Sequence, residues 1–347
     1  MLRYLVGRFA AFNITWQLTG DRASLRQTGI ALEKMDPYKH PRTAVTSDTS
    51  APLIADGWPD HILYTVVDDQ LGAIEHQLYT KPKVNVALEE GKDPEGFRRA
   101  LWNMWFNGQY PTVTLASDQG AKYVATWKEL FSKTRHWELE PYFDVDGARA
   151  LALEGVEYIV YIEKPSVPLE LLVQKHSYDV YWINPITGES LKEKKNWKGD
   201  KFVVDPPDKS HDWVLHLSRD GRKEGMLRSY KFESRPPMVQ ELEMQDKMVP
   251  FEIVEPTADV LSISNPPAYS VKVRRQTRAT RAMMYLWTGE VVSGGEGARV
   301  LGTGESGKFK IPPGMAKSYP AVFSVRLIGM NANGKIYAAD RVYRLTQ

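Results

Sequence analysis

Carboxylates recur through the first third of the chain in a pattern that could cleave a glycosidic bond. Asp21 follows the apolar run 13–18, Asp48 follows 43–46, and Asp68 with Asp69 follows 61–67. Glu89 with Glu90 follows 83–88, and Asp118 follows 111–115. Each run is short and rich in β-branched or aromatic residues, which predicts a strand. Glycoside hydrolysis needs two such groups. One carboxyl protonates the leaving oxygen; the other attacks the anomeric carbon or activates water, at ~5–5.5 Å separation for retention and ~6.5–9.5 Å for inversion. The competing role is helix capping, because acids after a strand often satisfy the free N–H groups of the next helix. Both roles stay open for each acid.

Other side chains could shape such a site. Trp16 lies in the first of these runs and could stack on a sugar or pack in the core. His40, in His-Pro-Arg, could line a pocket or fix a turn. His76 shares an apolar helical face with Leu71, Ile74 and Leu78 and reads as structural. His211 and His216 have no third ligand at useful spacing, and no His-Glu-x-x-His occurs, so no metal site is expected. Zero cysteines exclude disulfides, thiol catalysis and thiolate metal ligands. Forty-five basic against 43 acidic residues leave a charge of +2, which gives no reason to expect nucleic acid or an anionic membrane as partner. The basic cluster Arg274, Arg275, Arg278 and Arg281 lacks interleaved stacking aromatics and reads as a solvated strand face.

The elements that must position these acids change character near residue 135. Before it, five strand–helix units alternate, with helices predicted over 2–12, 22–35, 70–79, 94–106 and 121–132. Alternation of this kind implies a parallel sheet with right-handed crossovers. It suits an open doubly wound sheet or part of an eight-unit barrel, and in both, chemistry sits beyond the C-terminal strand ends. No glycine-rich phosphate loop follows any of the strands, so nucleotide binding loses its support. From 136 onward the pattern is β. Short strands over 136–220 predict a β-sandwich, 221–247 reads as a linker, and 248–347 predicts a second, immunoglobulin-like sandwich. No apolar run approaches the ~20 residues of a membrane span.

Several segments resemble the apiosidase-like (DUF4038) glycoside hydrolases. They are Arg3-Tyr4-Leu5-Val6, Asn13-Ile14-Thr15-Trp16-Gln17 with Gly20-Asp21, Met35-Asp36-Pro37-Tyr38-Lys39-His40-Pro41-Arg42-Thr43, Asn107-Gly108-Gln109-Tyr110, and Trp182-Ile183-Asn184-Pro185-Ile186-Thr187-Gly188-Glu189. Together they span roughly residues 1–220. The resemblance implies a (β/α)8 barrel followed by a β-sandwich, hydrolysis of a plant or microbial glycan with no organic cofactor, and an extracellular or periplasmic location. It sets the run 13–18 at the fourth barrel strand and implies Asp21 as proton donor. The seventh strand, 83–88, then delivers the nucleophile, with Glu90 as first choice and Glu89 as second. Trp16, His40, Asp68 and Asp69 are the implied substrate-binding residues. Where relatives carry a tyrosine and a glutamate, this chain reads Ala87-Leu88-Glu89-Glu90-Gly91.

On this alignment the first three βα units are missing, and the expected fold is a partial (β/α) barrel of about five units, then two β-sandwiches. Five units cannot close an eight-stranded barrel, so open edges and an exposed inner face are expected. The expectation is a truncated start, or another chain that completes the barrel. The first 16 residues do not read as a signal peptide, because Arg8 interrupts the apolar stretch. The alternative function is a non-catalytic carbohydrate-binding or scaffolding protein with a vestigial barrel.

Overall fold

Local signals decide the helices of the α/β region. In the computed structural model, which describes residues 1–166, 168–219, 242, 248–295 and 297–347, the order begins α1 (Leu2–Phe9), β1 (Trp16–Leu18), α2 (Arg22–Met35), β2 (Arg42–Thr46), α3 (Ala51–Asp56), β3 (His61–Tyr64), α4 (Asp69–Leu78), β4 (Lys83–Glu89), α5 (Pro94–Phe106), β5 (Gln109–Thr114) and α6 (Asp118–Ser132). Asp21, Asp68, Asp93 and Ser117 each accept a backbone N–H at the start of α2, α4, α5 and α6. Such caps supply the acceptor that a helix start otherwise lacks. Helix α2 buries Leu25, Gly29 and Leu32 on one stripe and ends at Asp36-Pro37. The short α3 was not predicted; six residues carry too little periodicity, and Gly57 in the left-handed region stops it.

The chain divides into two units, Met1–Val86 with Met238–Gln347, and Ala87–Pro237. The α/β segment expected over 1–135 is shared between them, and the boundary falls within β4. In the first unit, β1, β2, β3 and the start of β4 pair in parallel, with Trp16 opposite Arg42, Thr43 opposite His61 and Ile62 opposite Lys83. Helices α1 and α2 cover β1, where Val6, Ala10 and Leu32 pack with Trp16 and Leu18. In the second unit, β5 neighbours the continuation of β4, and Glu90 N–H donates to Thr114 O at 3.0 Å. Strand order is sequential from β1 to β5, and among the described residues no strand pairs with the outer edge of β1 or β5.

The second unit continues with β6 (Glu140–Tyr142), β7 (Val145–Asp146), β8 (Arg149–Leu153), β9 (Glu157–Ile162), β10 (Leu169–Ile183), β11 (Ser190–Lys192), β12 (Trp197–Val204) and β13 (Trp213–Arg219). The 15-residue β10 serves two partner sets. Its first half pairs with β7 and β12, and its second half with β11 and β13. A register shift between Leu172 and His176 separates the halves. Tyr158, Val160, Leu171, Tyr178 and Leu215 fill the core so formed. The outer face of β8, β9 and β13 takes Trp102, Trp105 and Phe106 of α5, so these aromatics are packing residues, as helical spacing suggests.

The linker expected over 221–247 lies outside the described residues apart from 242. The first unit resumes with β14 (Phe251–Glu255), β15 (Val260–Ser262), β16 (Ala268–Val273), β17 (Met284–Val291), β18 (Arg299–Thr303), β19 (Ser306–Lys308), β20 (Ala321–Met330) and β21 (Ile336–Thr346). They form a three-stranded and a five-stranded sheet, with Phe251, Tyr269, Trp287, Phe309 and Phe323 in one core. Helix α4 packs on β17 and β20.

Candidate active site at the strand ends

Strand alternation separates Glu89 from Glu90. Leu88 packs on Phe97, Leu101 and Met104 of α5. Side chains along a strand point alternately to opposite faces, so Glu90 follows Leu88 towards the helices and Glu89 points away. Glu90 is buried. Its carboxylate accepts from Ala116 N–H at 2.7 Å, Ser117 N–H at 2.9 Å and the Ser117 hydroxyl. The Ser117 hydroxyl and these N–H groups hold its carboxyl below the usual range. A β-carbon at Gly120 would run into the same carboxylate. Glu90 is thus an anion seated on the N-terminus of α6, with both oxygens committed, which does not suit a nucleophile. Glu89 is exposed at the end of β4.

Asp21 is exposed and caps α2, accepting from Ser24 N–H at 3.0 Å and Ser24 Oγ at 2.7 Å. Those two bonds hold its carboxyl below its ordinary value. A proton donor needs the opposite displacement, towards neutrality. Asp21 lies in the first unit, Glu89 and Glu90 in the second.

The acids after β2 and β3 are taken up by C-terminal strands of their own unit. Asp48 accepts from Arg299 Nε at 2.5 Å and from Val300 N–H. Asp68 caps α4 through Leu71 N–H at 2.9 Å, and its other oxygen accepts from Thr303 Oγ1 at 2.8 Å. Gln70 adds a third contact, accepting from Tyr285 N–H at 2.7 Å. Asp69, half-buried, sits in the first turn of α4. Arg299 and Thr303 carry no local signal that could have linked them to Asp48 and Asp68, more than 230 residues away in sequence.

Trp16 and His40 are brought together, but at the other end of the strands. Trp16 and Arg42 are paired first residues of β1 and β2. The fully buried Asp36 accepts from Trp16 Nε1 at 2.9 Å, Tyr38 N–H at 3.0 Å and His40 N–H at 3.0 Å, and His40 Nδ1 lies 2.9 Å away. Burial pushes the Asp36 carboxyl up, but the bonds from Trp16, His40 and Tyr38 outweigh it and bring it down to about 2. This cluster ties the α2–β2 turn to β1; it stands away from the C-terminal ends where Asp48 and Asp68 lie. A second buried carboxylate, Glu75 on α4, is fully engaged by Thr49, Ser50 and the Tyr64 hydroxyl.

No protein-family model matches the chain, and no curated protein does. Several solved structures similar to it are described as glycoside hydrolases, and another, matched over 28% of this chain, as a superoxide reductase from Ignicoccus hospitalis. A candidate glycoside hydrolase from Bacteroides vulgatus ATCC 8482 is 14% identical with a TM-score of 0.48, covering 63% of this chain and 54% of its own. A Paenibacillus polymyxa xyloglucanase of glycoside hydrolase family 44 is 8% identical, TM-score 0.37, covering 63% and 69%. A family 44 endoglucanase from Clostridium acetobutylium is 10% identical, TM-score 0.36, with the same coverage. The chain thus spans about half the length of the first of these. All three TM-scores are below 0.5.

Proposed function

We propose that the chain acts on glycans by hydrolysis at the C-terminal strand ends of its α/β sheet, with Glu89 as the carboxylate that meets the anomeric carbon or its attacking water. The observation that supports this reading is the split between neighbours: Glu90 is spent on α6, while Glu89 is exposed at the end of β4 on the face away from the helices. The motif resemblance supplies the substrate class and Asp21 as proton donor.

The test is turnover of aryl glycosides and pectic oligosaccharides by the full chain and by Glu89→Gln, Glu90→Gln and Asp21→Asn. The expected result is a loss of at least about a hundredfold in Glu89→Gln, with the rate kept in Glu90→Gln. Equal rates in wild type and Glu89→Gln would remove the assignment.

One observation favours a second reading, glycan binding without cleavage. Asp21 and Glu90 are both held below their ordinary values, and Asp48 and Asp68 are bound to the C-terminal sandwich. A chain used this way would bind oligosaccharides with no turnover in any variant.

A further inference from the structure

A cavity of about 190 Å³ lies within the second unit, between α6 and the sheet. Glu129, Leu130 and Lys133 line it from the helix, and Tyr181, Ser190 and His216 from β10, β11 and β13. Tyr181 stands directly opposite Lys192 on one side and His216 on the other. Directly opposed residues share a face of the sheet, so the three form one cross-strand row turned towards α6. The Tyr181 and His216 rings lie 6.2 Å apart.

Charge identifies the kind of ligand. Lys133 Nζ is 2.5 Å from Glu129 Oε1. His216 Nε2 is 2.7 Å from Glu157 Oε1, both side chains being almost wholly buried. Lys192 Nζ is 3.0 Å from Asp179 and lies 5.4 Å from the centre of the Tyr181 ring. Lys133 and Lys192 each already face a carboxylate, and His216 is bonded to the buried Glu157, so among these groups an ionic ligand would find no charge left to neutralise it. What the walls offer is an aromatic ring and Leu130 for apolar contact, and a carboxylate and hydroxyls for hydrogen bonds. Small-molecule sites combine those features, with apolar walls and a few placed polar groups. A pyranose has the matching make-up, with apolar C–H faces and a rim of hydroxyls, and the cavity is of the order of one ring in size.

We infer that this cavity binds one neutral sugar residue of a glycan, apart from the strand ends. The inference rests on the glycan reading for its ligand class alone. Its readout is binding, so absence of turnover leaves it intact and isolates the failure of the hydrolytic reading.

The experiment is saturation-transfer NMR and calorimetric titration of the full chain with xylotetraose, cellotetraose and galactotetraose, and with tetragalacturonate as the charged counterpart. Binding of at least one neutral tetramer is expected, with affinity reduced tenfold or more in Tyr181→Ala and kept within twofold in Tyr181→Phe. Ser190→Trp, which fills the cavity from an exposed strand without removing core packing, is expected to abolish binding and decides the matter if Tyr181→Ala fails to fold. The inference is overturned if no neutral tetramer binds, if tetragalacturonate alone binds, or if binding survives Ser190→Trp unchanged.

Discussion

Asp212→Ala should be among the most destabilising single substitutions in the second unit. Arg98 and Asp212 side chains are 3% and 2% exposed, joined by Nη2–Oδ1 at 2.6 Å and Nε–Oδ2 at 3.2 Å. Burial alone would pull the Arg98 guanidinium down, but Asp212 carries it above its ordinary value. Tyr161 Oη donates to the same carboxylate at 2.8 Å. Removing the carboxylate leaves a guanidinium buried without its counter-charge, a loss of roughly 3–5 kcal/mol. Against a total of about 5–15 kcal/mol for a domain, that is a large fraction. Tyr161→Phe removes one donor and should cost about 1.5 kcal/mol. Replacing the whole network by apolar groups, Arg98→Met with Asp212→Leu and Tyr161→Phe, leaves nothing unpaired and should recover most of the loss. Urea unfolding followed by tryptophan fluorescence is weighted towards this unit, since seven of the ten tryptophans, Trp102, Trp105, Trp127, Trp137, Trp182, Trp197 and Trp213, lie in it. A loss below about 1 kcal/mol in Asp212→Ala, or a triple variant no better than the single one, would refute the reasoning.

Three further outcomes follow from the same geometry. The folded Asp36 carboxyl, at about 2, lies below its unfolded value of about 3.9; its stabilisation is complete above pH ~4 and fades as pH falls towards ~2, so acid titration of thermal stability should be flatter in Asp36→Asn. Gly29→Ala should destabilise the first unit by about 1–3 kcal/mol, because the new β-carbon meets the rigid ring of buried Trp58; this exceeds the helix-propensity gain of up to ~1 kcal/mol, and a raised melting temperature would contradict it. Asp48→Ala should speed hydrogen exchange at Val300, whose N–H loses its acceptor, while leaving exchange in β20 and β21 unchanged.

Legibility from sequence follows range. Helix α2 was predicted over 22–35 and spans Arg22–Met35, because cap, stripe and Asp-Pro stop all lie within one segment. The first strand was expected over 13–18 but only Trp16–Leu18 pairs, since pairing depends on where β2 begins, not on propensity. The five alternating units, and caps at Asp21 and Asp68, are likewise within reach of local chemistry, since capping is weighed there for each acid.

What the sequence by itself determined is the set of elements and the carboxylates that follow the strands, because periodicity and caps act over a few neighbouring residues. Only the tertiary structure decided the employment of those carboxylates. Glu90 and Glu89 are adjacent and chemically alike, yet one is buried on α6 and the other is exposed, because strand alternation and the position of a helix 27 residues on set their surroundings. Asp48 meets Arg299 for the same reason: Coulomb attraction and hydrogen bonding act over ångströms in space, whatever the distance along the chain.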